Sequence, residues 1–213
     1  MPFARIVAFL LLCLTAIPAY CADEGWTELF DGKTLKGWKA NENPESFSVQ
    51  DGALVTAGKP VGHLFYVGEN NDFKPLKNFE LSADVWSEPN SNSGIIFLCQ
   101  FQEKGWIKSG FEAQVNNTYE KDPRKTGSLY AVKDVKEAPA KDGEWWNYHL
   151  KVEGKNIVFT INGKEVMNYT EPDGQQPGKE FRHIIEPGTI ALQAHDAHSV
   201  VKFKNIKLKR LAD

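Results

Sequence analysis

Cysteine is scarce in this chain, with three in 213 residues, and two of the three lie in a stretch that reads as an export signal. Arg5 supplies a short positive start, residues 6–17 run apolar, Pro18 interrupts them, and Ala19-Tyr20-Cys21 offers a cleavage site before Ala22. Removal of residues 1–21 takes Cys13 and Cys21 away, so Cys99 is left without an intramolecular partner and no disulfide framework is expected. Cys99 ends the run Ile95-Ile96-Phe97-Leu98-Cys99 and reads as a small buried apolar residue, since a reactive thiol needs electropositive, partly exposed surroundings. Long apolar runs are also missing after the signal, which excludes a membrane span. Nor is there an excess of positive charge. Without Arg5, 24 of the 25 lysines and arginines stand against 28 acids, and their scatter argues against a nucleic-acid partner. Neither a Gly-rich phosphate loop nor a Gly-x-Ser-x-Gly elbow occurs. Nucleotide and serine-nucleophile chemistry therefore have no support, and no cofactor is expected.

Alternating apolar and polar residues, bounded by Gly, Asn, Asp and Pro, recur from residue 22 to the end without a convincing helical period. The pattern predicts one all-β domain over 22–213. Asp51-Gly52 and Asn162-Gly163 each separate two alternating runs and predict two-residue hairpins, because both dipeptides tolerate positive φ. Further strands are expected at Phe79–Trp86, Gly94–Gln102, Gly110–Asn116, Trp146–Val152, Gly188–His195 and Val200–Leu208. In the last, Val201 and Phe203 share a face before the apolar phase shifts to Ile206 and Leu208, which predicts a bulge near Asn205. The connection from Asn117 to Glu144 carries no strand longer than Ser128–Val132, and a loop of that length is expected to form one wall of a binding cleft.

Three strands carry the polar groups of interest. In the run from Gly110 to Asn116, Phe111, Ala113 and Val115 share one face while Glu112, Gln114 and Asn116 share the other. Gln193 and His195 oppose Ile190, Leu192 and Ala194 in the same way, and Asn147 and His149 alternate with Tyr148 and Leu150. Amides, a carboxylate and imidazoles beside Trp145 and Trp146 are groups that hold sugars, through paired hydrogen bonds to hydroxyls and stacking on a pyranose face. An ordinary solvent-facing strand would alternate too, though with fewer amides. His195-Asp196-Ala197-His198 invites a metal reading, but at a strand end the two imidazoles would not share a face, and no metal is expected.

The motifs Trp26 to Trp38, Val49-Gln50-Asp51-Gly52, Phe79-Glu80-Leu81, Asn92-Ser93-Gly94, Gly110-Phe111-Glu112-Ala113-Gln114, Trp146-Asn147, Ile161-Asn162-Gly163, Leu192-Gln193-Ala194-His195 and Phe203-Lys204-Asn205-Ile206 stand in an order that resembles the 3-keto-disaccharide hydrolase domain family. The resemblance implies a concanavalin A-like jelly-roll sandwich of two curved antiparallel sheets, with a carbohydrate partner on the concave face. It also implies action on glycosides oxidised at carbon 3. It carries Glu112, Gln114, Asn147 and His195 over to a site, with Glu112 and His195 as candidate catalytic residues and Gln114 and Asn147 as candidate substrate-binding residues, which Gln193 and Trp146 join from the strand patterns above. The chain departs from the family at Phe111, where tyrosine is frequent, at Asn116-Asn117, where an aliphatic residue and an aspartate are frequent, and after His195, where glycine often follows.

With one carboxylate on the face of its strand, the sequence lacks the acid pair of ordinary glycoside hydrolysis. A 3-keto sugar needs only a base for the acidified hydrogen at carbon 2, after which the carbon 1 substituent leaves by β-elimination and water adds back. Either Glu112 or His195 fits that base. The rival expectation is a non-catalytic, lectin-like carbohydrate-binding module using the same polar face.

Overall fold

The computed structural model describes residues 25–179 and 181–212, so the expected signal at 1–21 lies outside the described residues. Thirteen strands follow in chain order: β1 (Trp26–Glu28), β2 (Trp38–Ala40), β3 (Phe47–Gln50), β4 (Ala53–Ala57), β5 (Gly62–Tyr66), β6 (Phe79–Ser87), β7 (Ser93–Cys99), β8 (Phe111–Val115), β9 (Trp146–Glu153), β10 (Asn156–Ile161), β11 (Lys164–Thr170), β12 (Thr189–Ala194) and β13 (Val200–Arg210). They form two antiparallel sheets, the expected all-β sandwich. One is eight-stranded in the order β11-β10-β9-β6-β13-β4-β3, with β1 also on β13. The other is five-stranded in the order β2-β5-β12-β7-β8.

The two-residue period builds the core between the sheets. Phe79, Leu81, Ala83 and Val85 of β6 are buried in alternation with half-buried Glu80, Ser82, Asp84 and Trp86, and they meet Ile95 and Phe97 of β7, Phe111 of β8 and Ile190 of β12 in one apolar cluster. Both expected hairpins are present. Asp51-Gly52 joins β3 to β4 and Asn162-Gly163 joins β10 to β11, with positive φ at all four residues. The expected bulge is present as well. The β13–β6 register shifts between Lys204 and Lys207, Asn205 takes a φ of 50°, and its amide donates to Asp84 at 2.7 Å.

The five-stranded sheet differs from its partner in being buried on both faces. Every residue of β7 is buried. On the side away from the main core, Phe65, Ile96, Cys99, Ala191 and Ile107 form a second, smaller apolar cluster. Ile107 comes from the loop after β7, which folds back over part of this outer face. Cys99 is the inert buried residue expected: its Sγ points at the carbonyl of Thr189 at 3.5 Å, and burial pushes its thiol pKa up.

Candidate active site

The uncovered remainder of that outer face is polar, and strand register explains which residues it holds. His63 of β5 pairs with Gln193 of β12, and Gly94 of β7 pairs with Gln114 of β8. With Leu192 opposite Ile95, these residues share one row across four strands. Gly94 leaves a gap in the row, and the neighbouring Glu112 leans into it. A Cβ at Gly94 would lie 2.7 Å from Glu112 Cγ, closer than real side chains approach. Here the absence of a side chain makes room for a carboxyl group that hydrogen-bonds Gln193.

His195 and Asp196 follow the end of β12, tied back by the bridge between Asn92 and His195. The imidazole Nδ1 of His195 lies 2.6 Å from Asp196 Oδ2, and Asn92 Nδ2 donates to the same oxygen at 2.8 Å. A carboxylate at that distance makes Nδ1 the protonated nitrogen of the neutral ring, leaving the Nε2 lone pair as the acceptor. Tyr119 also bonds Asp196, and the Asn92 and Tyr119 hydrogen bonds together with the nearby His195 hold the Asp196 carboxyl below the usual range, against the opposing effect of burial. The network continues as Gln114 Nε2 donates to Asn92 Oδ1 at 2.6 Å, while Gln114 Oε1 is buried without a partner.

These groups floor a pocket of about 260 Å³, near the lower end of the roughly 300–1,000 Å³ typical of small-molecule sites. Its walls come from three loops. Trp106 belongs to the loop after β7; Asp122 and Tyr130 belong to the long 117–144 connection, which supplies the wall expected of it; Phe181 and His183 precede β12. Trp106 stacks at a tilt on His195 with ring centroids 5.0 Å apart, and Phe181, His183 and Phe111 form a ring stack. Asp122 is held by Arg124, whose guanidinium lies 4.4 Å over the Tyr130 ring.

Enclosure sets the electrostatics. Burial, and secondarily the charge of Asp122, pushes the Glu112 pKa up to about 8, only partly offset by Gln193 and Arg124, so the acid is mostly protonated at neutral pH. His63 is 2% exposed. Its pKa falls to about 4, through burial first and the proximity of His195 second, and its Nδ1 has no partner. The pocket thus combines a carboxylic acid, a carboxylate-held imidazole and a neutral imidazole.

Of the six expected site residues, the structure brings Glu112, Gln114, Gln193 and His195 together. It places Asn147 and Trp146 elsewhere. Both are on β9, which pairs with β6 and β10 in the other sheet. Trp146 is in the inter-sheet core, 3% exposed, and Asn147 faces the outer surface of the larger sheet, donating to Ser82 at 3.0 Å and Asp84 at 3.1 Å. Alternation had identified the polar face of β9 but carries no information about which sheet the strand joins. Asn116 is also withdrawn from the pocket, because its amide donates to the carbonyls of Tyr119, Asp122 and Arg124 at 2.9–3.1 Å and so shapes the long connection. Asp122 adds a second carboxylate that the strand pattern had not shown. His63 and Trp106 were equally unmarked, and Asn92 stood in the motif Asn92-Ser93-Gly94 with no role assigned to it.

A family match extends over residues 25–209, to the 3-keto-alpha-glucoside-1,2-lyase-like domain. The chain belongs to this family. A curated relative, the 3-keto-disaccharide hydrolase of Bacteroides thetaiotaomicron, is 26% identical over 171 residues, which is 68% of this chain and 59% of the relative's length. A crystal structure of a candidate glycosyl hydrolase from Parabacteroides distasonis superposes with a TM-score of 0.74 at 25% identity, covering 89% of this chain and 95% of that one. The carbohydrate-binding module CBM66 of Bacillus subtilis shares the fold at a TM-score of 0.58 and 11% identity, covering 83% of this chain and 98% of that one.

Proposed function

We propose that this chain cleaves 3-keto-glycosides by elimination across carbons 1 and 2 of the oxidised sugar, followed by hydration. The observation that carries the reading is one small pocket that holds both an imidazole fixed by a carboxylate and a half-buried carboxylic acid. His195 Nε2 takes the proton from carbon 2, and Asp196 stabilises the imidazolium that forms. Electrons of the broken C–H bond pass into the keto oxygen as an enolate, which the amide of Gln193 and the ring of His63 hold. As the enolate collapses, the C1–O bond breaks and Glu112 gives its proton to the departing oxygen. Water then adds to carbon 1, Glu112 takes the water's proton, and His195 returns a proton to carbon 2. Acid, base and charge balance over the cycle, and the net change is hydrolysis.

Membership of a 3-keto-alpha-glucoside-1,2-lyase-like family and likeness to the 3-keto-disaccharide hydrolase of Bacteroides support this chemistry. The apolar stretch at 6–17 supports export of the chain as part of the same proposal. Asp122 favours a second reading, ordinary acid hydrolysis with Glu112 and Asp122 as the two carboxyls. Incubation of the purified protein with 3-keto-glycosides beside their unoxidised parents, followed by mass spectrometry, separates the readings. Consumption of the keto substrates alone fits elimination, whereas cleavage of the parents points to the two-carboxylate route. Binding without turnover of either set points to a carbohydrate-binding module.

A further inference from the structure

The proposed reaction leaves Gln114 without a task, although its carboxamide oxygen has an unmet need. The residue lines the pocket and is 1% exposed, and its Oε1 is buried without a hydrogen-bond partner. We propose that Gln114 Oε1 accepts a hydrogen bond from the hydroxyl on carbon 2 of the sugar, so that Gln114 selects substrates in which this hydroxyl is present and unsubstituted. The inference rests on the 3-keto-glycoside reading and assigns an oxygen that His195, Glu112, Gln193 and His63 do not hold.

The polarity of the Gln114 amide is set two residues away. Asp196 is a carboxylate and can only accept, so the group that Asn92 turns towards it at 2.8 Å is its NH2. Asn92 Oδ1 is left to face Gln114, and it accepts from Nε2 at 2.6 Å. The Ser93 carbonyl lies 3.3 Å from the same nitrogen. Both donors of Gln114 are thereby engaged by acceptors, and a flipped amide would set oxygen against oxygen at each of them. Oε1 is therefore fixed as an acceptor that the protein itself does not satisfy. Burial without a partner is unfavourable for such an atom, and a ligand O–H relieves it.

Strand register indicates which hydroxyl that is. His63, Gln193, Gly94 and Gln114 share one row across four strands, so the groups assigned to the keto oxygen stand at one end of the row and Gln114 stands at the other. Gly94, between them, has no side chain to intervene. Asn92 bridges His195 in the neighbouring row, and its Nδ2 lies 3.3 Å from the imidazole Nδ1, so one amide touches both the base and Gln114. The carbon that gives its hydrogen to His195 also bears a hydroxyl. With the oxygen on carbon 3 at Gln193 and His63 and the oxygen on carbon 1 at Glu112, the hydroxyl of carbon 2 is the one left to reach Gln114.

The test pairs methyl 3-keto-glucoside with its 2-deoxy analogue, which keeps an acidic hydrogen on carbon 2 and lacks only the hydroxyl. After correction for the reactivity of each with hydroxide, the unaltered chain should favour the parent by about tenfold or more in kcat/KM. A ratio near one overturns the assignment without any variant. Gln114→Met occupies similar space and offers no comparable acceptor, so the ratio should fall by about tenfold or more. Loss of the bond to Asn92 in that variant affects both substrates alike and cancels in the ratio, so an unchanged ratio overturns the assignment and leaves Gln114 a prop for Asn92. Absence of turnover with every 3-keto-glycoside would instead mark failure of the reaction reading. An NMR titration of the Gln114 side-chain amide then decides the contact: a shift with methyl glucoside and none with methyl 2-deoxyglucoside supports it, and any other pattern overturns it.

Discussion

The outer faces of the two sheets are written in the same sequence code and have different fates. On the larger sheet, His149 lies 2.9 Å from Glu80 with both side chains about a quarter exposed, Lys204 covers Trp145 at 4.0 Å, and Asn147 is satisfied by Ser82 and Asp84. These polar groups each find a neighbour. On the smaller sheet, loops roof the face, and polar groups are sealed in without full satisfaction: His63 Nδ1 and Gln114 Oε1 have no partner, and Glu112 is forced toward its protonated form. Alternation creates a polar face in both places. The roof changes the chemistry of one of them, because desolvation strengthens electrostatic interactions and shifts pKa values.

The comparison breaks most sharply under mutation of matched polar residues. His195→Asn and Glu112→Gln should each lower kcat on a 3-keto-glycoside by about 100-fold to 10,000-fold, the usual loss on removing a general base or acid, while Asn147→Ala on the other sheet leaves kcat within about threefold. Steady-state kinetics of the three variants checks this, and equal effects on both faces would erase the distinction. Asp196→Asn keeps a hydrogen-bond acceptor for His195 but removes the charge that stabilises the imidazolium. Its kcat should fall by about 100-fold with little change in KM, which marks a positioning role rather than substrate binding.

Gly94→Ala sharpens the comparison through geometry. The new methyl meets the flexible end of Glu112 rather than backbone, so Glu112 should swing aside while the fold persists. The expected result is a fall in kcat of about tenfold to 100-fold with a Tm change of only a few degrees; a collapse in Tm would show that Gly94 serves the sheet instead.

The smallest effect is on stability. Glu112 has a folded pKa of about 8 against an ordinary value of 4.5, so the folded state binds its proton more tightly than the unfolded state does. Stability should therefore fall as pH rises from about 4.5 to about 8, and Glu112→Gln should flatten that slope, gaining Tm relative to the parent chain at pH 9. His63 contributes with the opposite sign. Its folded pKa of about 4 lies below the ordinary 6.5, so stability is lost as pH falls from about 6.5 to about 4. Melting curves across pH check both slopes.

Much of this was legible in the sequence for reasons that can be stated. The period of two put Phe111 and Ala113 in the core and Glu112 and Gln114 opposite them, and Asn-Gly and Asp-Gly gave both hairpins through their tolerance of positive φ. The phase slip in β13 located the bulge at Asn205. Asn147 was misplaced because a strand's periodicity fixes its faces and not its neighbours, and the pairing of β9 with β6 is a long-range contact that no local pattern encodes; Trp146 was misplaced against the period of two, which sets it on the core face with Tyr148 and Leu150. The 117–144 wall was legible from the length of its connection, but the residues that line the walls were not, for a related reason. Asp122, Tyr130 and Trp106 reach the pocket through loops whose paths depend on contacts such as the Asn116 amide gripping three carbonyls, and loop composition does not report such contacts.

The central claim is that the proton on carbon 2 leaves and returns during cleavage, and turnover of a 3-keto-glycoside in deuterium oxide tests it most directly. The account predicts that the released 3-keto sugar carries deuterium at carbon 2 from its first appearance, well above a control without protein, and that His195→Asn abolishes this incorporation. A released sugar with carbon 2 unlabelled would contradict it and show that the glycosidic bond is broken by direct displacement.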